Sequence, residues 1–269
     1  MARVPIAGVG GEGAGAFVAR RRTWGERIDA IRVNELAREH RGGRAVWIKR
    51  RRPGARGVAA VANVFFQAAG NPVRVLGERD DWLAWEVACH RLLHGDAFAA
   101  RAEQGALVVE EVPGTDLSAA LEGGWLGVEQ MEAAGQELER VQAFASPALG
   151  GGWSHGDPHL GNFVYDGDEG RCRLIDFEVR HLASWGTVRR HADDYLVVLQ
   201  DLCGRVGSDA WIDLGRALVG ACGRGDVVEE LKGRMRVPRG LGRIWWAVRT
   251  SYLARAELEA RFERLRREL

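Results

Sequence analysis

The chain has almost no lysine. Of its 38 basic residues, only Lys49 and Lys232 are lysine and the rest are arginine. A chain biased this far keeps a lysine by chance, or where a compact, mobile ammonium is needed that a planar guanidinium cannot replace. Lys49, inside an apolar segment, therefore calls for an explanation. Net charge is also lacking. The 38 basic residues face 37 acidic ones across 269 residues, so no global field marks nucleic acid as the partner. Cysteine is scarce: Cys89, Cys172, Cys203 and Cys222 form no C-x-x-C pair and no short disulfide framework, which predicts a reduced, cytoplasmic chain. Long apolar runs are missing too. The longest weakly polar stretch, Gly57 to Gly70, is too short to span a bilayer and is broken by Asn63 and Gln67. The N-terminus has no signal-peptide core, so neither export by that route nor an integral membrane protein is expected. At 46% apolar and 28% charged, the composition excludes disorder, collagen and coiled coil.

What is present divides the chain in two. Residues 1–25, with five glycines between Gly8 and Gly15 and then Arg20-Arg21-Arg22, read as a flexible leader. Gly8-Val9-Gly10-Gly11-Glu12-Gly13 matches G-x-G-x-x-G, but no βαβ unit follows to make it a dinucleotide fingerprint. Ala45 to Lys49 reads as a strand entered from a glycine turn at Gly42-Gly43. Trp82, Trp85, Cys89, Leu92 and Leu93 recur at helical spacing, leaving Glu86 beside the buried stripe. A strand over Gly105 to Val112 stops at Pro113-Gly114, a predicted hinge. Beyond it come a helix through Val128, Met131, Leu138, Val141 and Phe144, a hairpin pairing 163–166 with 172–175, and a helical remainder from Asp193. The expected class is α+β in two lobes: a strand-rich 26–112 and a mainly helical 113–269.

The densest polar signal is His155-Gly156-Asp157-Pro158-His159-Leu160-Gly161-Asn162, followed by Ile175-Asp176-Phe177-Glu178. Pro158 and Gly161 keep the first segment from being helical, so Asp157 and Asn162 can face one cavity. Asp176 ends a strand, where a carboxylate can be presented to a metal. His155 and His159 are spaced as an H-x₃-H pair, but Pro158 opposes the helix such a zinc pair needs, and supporting roles fit them better.

In these residues the sequence resembles the kinase-like phosphotransferases, namely the aminoglycoside phosphotransferase, choline kinase and lipopolysaccharide kinase families, which have the protein-kinase fold. The resemblance covers roughly residues 40–202 and rests on H-G-D-x-H-x-x-N, I-D-F-E, Lys49, Glu86 and the hinge, in that family's order. It implies ATP and Mg²⁺ as cofactors. By the same resemblance, Asp157 orients and deprotonates an acceptor hydroxyl, and Asn162 and Asp176 hold Mg²⁺. Lys49 reaches the phosphates and is held by Glu86, the backbone of Glu110, Glu111 and Val112 binds adenine, and His155 and His159 brace the loop. Glu178 departs from the glycine of D-F-G, so an activation-loop switch is not expected. The spacing of 37 residues from Lys49 to Glu86 also exceeds the family's.

The acceptor stays open between a small molecule of the aminoglycoside or choline kind, a protein serine or threonine, and a glycolipid sugar. An ATP-binding pseudokinase is the alternative of another class. From Ser184 onward, 16 basic residues face 12 acidic ones, which favours an anionic acceptor and tilts the expectation to the lipopolysaccharide-kinase branch. Lys232 to Arg255 carries seven basic residues and no acid, interleaved with Trp245, Trp246 and Tyr252. That pattern suggests peripheral contact with an anionic membrane, unless the tryptophans pack inward.

Overall fold

The computed structural model describes residues 33–207 and 210–269, so the segment 1–25 read as a leader lies outside the described residues. The fold is α+β. Its first layer is a four-stranded antiparallel sheet in the order β1-β2-β5-β4, made of β1 (Asn34–Arg41), β2 (Arg44–Arg51), β4 (Ala100–Glu103) and β5 (Ala106–Glu110). Gly42 and Gly43 join β1 to β2 with φ of 59° and 80°, the positive values a tight two-residue hairpin demands. Alternation along β2 sends Val46 and Ile48 to a small cluster with Ala106 and Val108. The opposite face carries Trp47 and Lys49 toward a cavity. β1 is mostly exposed and charged, a composition that guards a sheet edge. For the same reason it shows no apolar alternation by which to read it.

Between β2 and the tryptophan-rich helix α2 (Arg79–His94) the chain inserts α1 (Ala55–Ala68) and the short β3 (Val73–Val75). This insertion accounts for the long Lys49–Glu86 spacing. It does not stay with the sheet: β3 pairs antiparallel with β11 (Val179–His181), and Phe66 of α1 meets Trp245 edge-on at 4.8 Å.

The remainder is helical around one main core. After β6 (Thr115–Asp116) come α3 (Leu117–Glu122) and α4 (Val128–Gln142), then a minor pair, β7 (Ala145–Ser146) and β8 (Gly151–Gly152). The hairpin β9 (Phe163–Asp166) and β10 (Arg171–Leu174) adds β6 as a third strand. There follow α5 (Thr187–Arg205), α6 (Ala210–Gly220), α7 (Gly225–Arg234), α8 (Leu241–Arg249) and α9 (Arg255–Glu268). Met131, Leu138, Trp153, Tyr195, Leu202, Trp211 and Phe262 are buried together at its centre. All four cysteines are free thiols, three of them buried. Among the described residues no helix is long and apolar enough to cross a membrane.

Five of the seven histidines, His90, His94, His155, His181 and His191, are buried. Burial pushes His90 and His94 down to about 3 and His191 to about 4, and it lowers His155 as well. A histidine depressed in this way binds its proton only on unfolding. Its stabilisation is complete above the unfolded value of about 6.5 and is lost as the pH falls from there toward the folded value. Glu178, raised to about 8 by burial and by the Asp176 charge, acts in the opposite sense, as does Asp194, also raised by burial, but these are two groups against four histidines. The urea midpoint is therefore expected to fall between pH 7.5 and pH 5 at constant slope, and a midpoint that held or rose would contradict the buried, neutral histidines.

Candidate active site

Lys49 is 7% exposed and its ammonium bridges two carboxylates, donating to Glu86 Oε1 at 2.6 Å and to Asp176 Oδ1 at 2.7 Å. Burial alone would lower its pKa, but the charges of Asp176, Glu86 and Glu178 outweigh that and raise it, so the ammonium stays charged. Glu86 is fully buried and fully used: Oε1 also accepts from Trp82 Nε1 at 3.0 Å, and Oε2 from the Phe177 amide at 3.3 Å. Trp82 was legible in the sequence only as core, yet here it also fixes the carboxylate that fixes the lysine. Asp176 has a φ of 65°, a left-handed conformation that is uncommon outside glycine and tends to be kept at functional sites. Its carboxyl is lowered despite burial, because Lys49 lies against it. Glu178 accepts from Asn34 Nδ2, tying the end of this segment to β1.

The 155–162 loop is held mainly by side chains of α5, which the sequence analysis did not single out. Asp194 accepts the amides of His155 at 3.0 Å and Gly156 at 2.9 Å, and Asp201, two turns along, accepts that of Leu160 at 2.9 Å. His155 accepts the Asp157 amide on Nδ1 at 3.3 Å, which leaves Nε2 to donate to Ile175 O at 3.0 Å. One imidazole thus links the two motif segments. His159 is exposed and braces only its own turn, accepting the Gly161 amide at 3.1 Å. Asn162 donates from Nδ2 to Asp157 O at 2.9 Å, and its backbone carbonyl accepts the Ile175 amide at 2.9 Å, which sets Asn162 beside Asp176. Asp157 itself accepts from Arg249 of α8 at 3.1 Å, a partner 92 residues away.

Between these segments and the sheet lies a cavity of about 290 Å³, with Leu36 and Trp47 on one side and Val164 and Ile175 on the other. Lys49 and Asp176 are at one end, and Glu110, Glu111 and Val112 line it. The backbone amides of these three residues differ in what they are bonded to. The Glu110 amide is taken by Ala99 O and that of Glu111 by Ala45 O, both at 2.9 Å, because the chain continues ladder-like pairing past β5. Among the described residues no hydrogen bond engages the Val112 amide. The Glu111 carboxylate is turned to Arg38 and to Trp47 Nε1, so it orders the wall of the cavity. Gly114 has a φ of 124°, and a Cβ there would come within 2.2 Å of Tyr165 O, so only glycine lets the hinge pass β9 this closely.

No protein-family model matches the chain, and no curated protein matches it. Among solved structures it is similar to the complex of Rv3197 with erythromycin from Mycobacterium tuberculosis, with a TM-score of 0.40 and 18% identity over 93% of this chain and 73% of that one.

The donor set can be tested against Mg²⁺ on its own chemistry. Among the described residues no group of three or more His, Cys, Asp or Glu could hold a metal. Asn162 Oδ1 and the Asp176 carboxylate are hard oxygen ligands, and Mg²⁺ characteristically takes one or two such ligands and completes its shell with phosphate and water. The residues fit that ion and do not form a closed protein cage for any other.

Proposed function

We propose that the chain is an ATP-dependent phosphotransferase with a bilobal, protein-kinase-like arrangement, the cavity beside the 110–114 hinge taking the nucleotide. The observation that carries this reading is the buried Lys49 ammonium between Glu86 and Asp176 at 2.6 and 2.7 Å, with the Asp157–Asn162 loop fastened alongside. Phosphoryl transfer runs through a loose transition state, for which a protein supplies position and charge more than covalent chemistry. Lys49 orients the phosphates, and Glu86 holds Lys49. Asn162 and Asp176 hold Mg²⁺, which when bound neutralises phosphate charge. Asp157 orients the acceptor hydroxyl and takes its proton. Four unpaired thiols support a reducing, cytoplasmic setting.

The Arg249–Asp157 ion pair favours a second reading, a nucleotide-binding module without transfer, because it occupies the base. Labelled ATP screened against sugars, amino alcohols, phosphorylated glycolipids and model proteins separates the two. Transfer to one class, with the Mg²⁺ requirement shifted at least about tenfold upward in Asp176→Asn, supports the phosphotransferase. Nucleotide binding with neither transfer nor hydrolysis supports the module.

A further inference from the structure

A second cavity, of about 310 Å³, is lined by the 69–72 segment that follows α1 and by α5, α7 and α8, with Arg249, the partner of Asp157, in its wall. Four arginines line it, Arg189, Arg234, Arg236 and Arg249, against one carboxylate, Asp193, which is already claimed by Arg234 at 2.5 Å and His181 at 3.3 Å. Arg189 and Arg234 stack on Trp185 at 4.2 and 4.6 Å, and Arg249 on Trp245 at 4.6 Å, which holds planar guanidinium groups in place. Unsatisfied buried polar atoms concentrate here. Asn71 Nδ2, Arg234 Nε, Arg249 Nε and Trp245 Nε1 all belong to lining residues, and none has a hydrogen-bond partner. All four are donors. With four arginines set against one carboxylate that is already in use, the lining is matched by an anionic, acceptor-rich ligand.

We propose that this cavity receives the acceptor substrate, and that the acceptor is a hydroxyl compound carrying a phosphate ester. The inference rests on the phosphotransferase reading and narrows its substrate class. Arg249 is the link: it lines the cavity while one of its amino groups donates to Asp157, so an anion in the cavity competes with Asp157 for the same guanidinium. An acceptor without negative charge leaves the base paired, whereas an anionic one loosens it as it docks. The acceptor oxygen then bonds to the γ-phosphorus of ATP, the bond from that phosphorus to the bridging oxygen breaks, ADP leaves with the electron pair, and Asp157 takes the hydroxyl proton. The volume suits a monosaccharide-sized head group. Trp246 is buried and Trp245 packs on Phe66, so these two tryptophans of the basic segment serve this cavity, while Tyr252 is exposed and lies outside its lining.

The test is calorimetric titration of the nucleotide-free protein at low salt with glucose 6-phosphate, glucose and glucosamine. A parallel arm uses vesicles bearing a phosphorylated glycolipid, with neutral vesicles as control. At least about tenfold tighter binding of the phosphate ester than of either unphosphorylated sugar is expected, lost at high salt. Arg189→Glu combined with Arg236→Glu should reduce it by a further factor of ten or more; both residues are exposed, and an unchanged melting temperature shows that the variant folds. Preference for the vesicle arm would place the phosphate on a lipid, and preference for the soluble arm on a metabolite. Equal binding of all three sugars, or binding indifferent to the charge reversal, overturns the proposal. ATP titrated separately tells the readings apart: lost ATP binding with retained ester binding fells the phosphotransferase, and the reverse fells only the acceptor assignment.

Discussion

Asp157→Asn is expected to lower phosphoryl transfer by about 10³-fold while leaving ATP affinity within about twofold of wild type. The substitution keeps the shape of the side chain but removes its charge, and with it both its capacity to accept a proton and the ionic character of its bond from Arg249. The loop does not depend on that carboxylate for its position, since Asp194, Asp201 and His155 hold it through backbone contacts. Melting temperature should accordingly stay close to wild type, and a single-turnover assay with labelled ATP reads the chemical step directly. Transfer within threefold of wild type would remove Asp157 as the base and point to a hydroxyl activated by position alone.

Lys49→Met should strike stability and activity together. Glu86 is fully buried and would lose its ammonium, with Asp176 left facing it across a low-dielectric gap. Removing one partner of a buried pair typically costs about 3–5 kcal/mol, because the remaining charge has no partner. For a chain of this size that is a fall in melting temperature of about 10 °C. Adding Glu86→Gln should recover part of the loss, since it removes the stranded charge. Lys49→Arg is the sharper functional probe: it keeps the charge, but its wider fork cannot reproduce two contacts of 2.6 and 2.7 Å from one nitrogen. A loss of about 10²-fold or more in transfer is expected from that misplacement. Stability unchanged in Lys49→Met would mean that the bridge contributes nothing to the folded state.

The parts of the site that sequence could reveal are those whose chemistry is local. His155 to Asn162 and Ile175 to Glu178 announce themselves because proline, glycine and carboxylates crowd into short loops, and Lys49 stands out against an arginine background. Lys49 and Glu86 could be paired in principle, but the helix and strand between them could not be anticipated. α1 carries Val58, Val61 and Val64 on an exposed face, so its apolar spacing does not mark a core element. Asp194, Asp201 and Arg249 stayed hidden for a different reason. Each sits in a helix whose pattern is explained by packing alone, and its partner lies 38 to 92 residues away. Only the assembled fold makes them part of the site. The Val112 amide shows the same limit, because its freedom follows from which neighbouring amides the ladder has already used.

Under the proposed two-lobed arrangement, the pairing of β3 with β11 restricts how the halves can move. The hinge at 110–114 joins them once, and the chain crosses again on either side of the inserted α1–β3 unit, which is fastened beside Asp176 through β11 and against α8 through Trp245. A body fixed at one point can swing in any direction, but one fixed at several can turn only about the line through them. The space between Lys49 and Asp176 is thus set when the chain folds. In the proposed phosphotransferase a nucleotide would find its groove already at working width, and the ordering that other enzymes defer to substrate arrival would be complete beforehand.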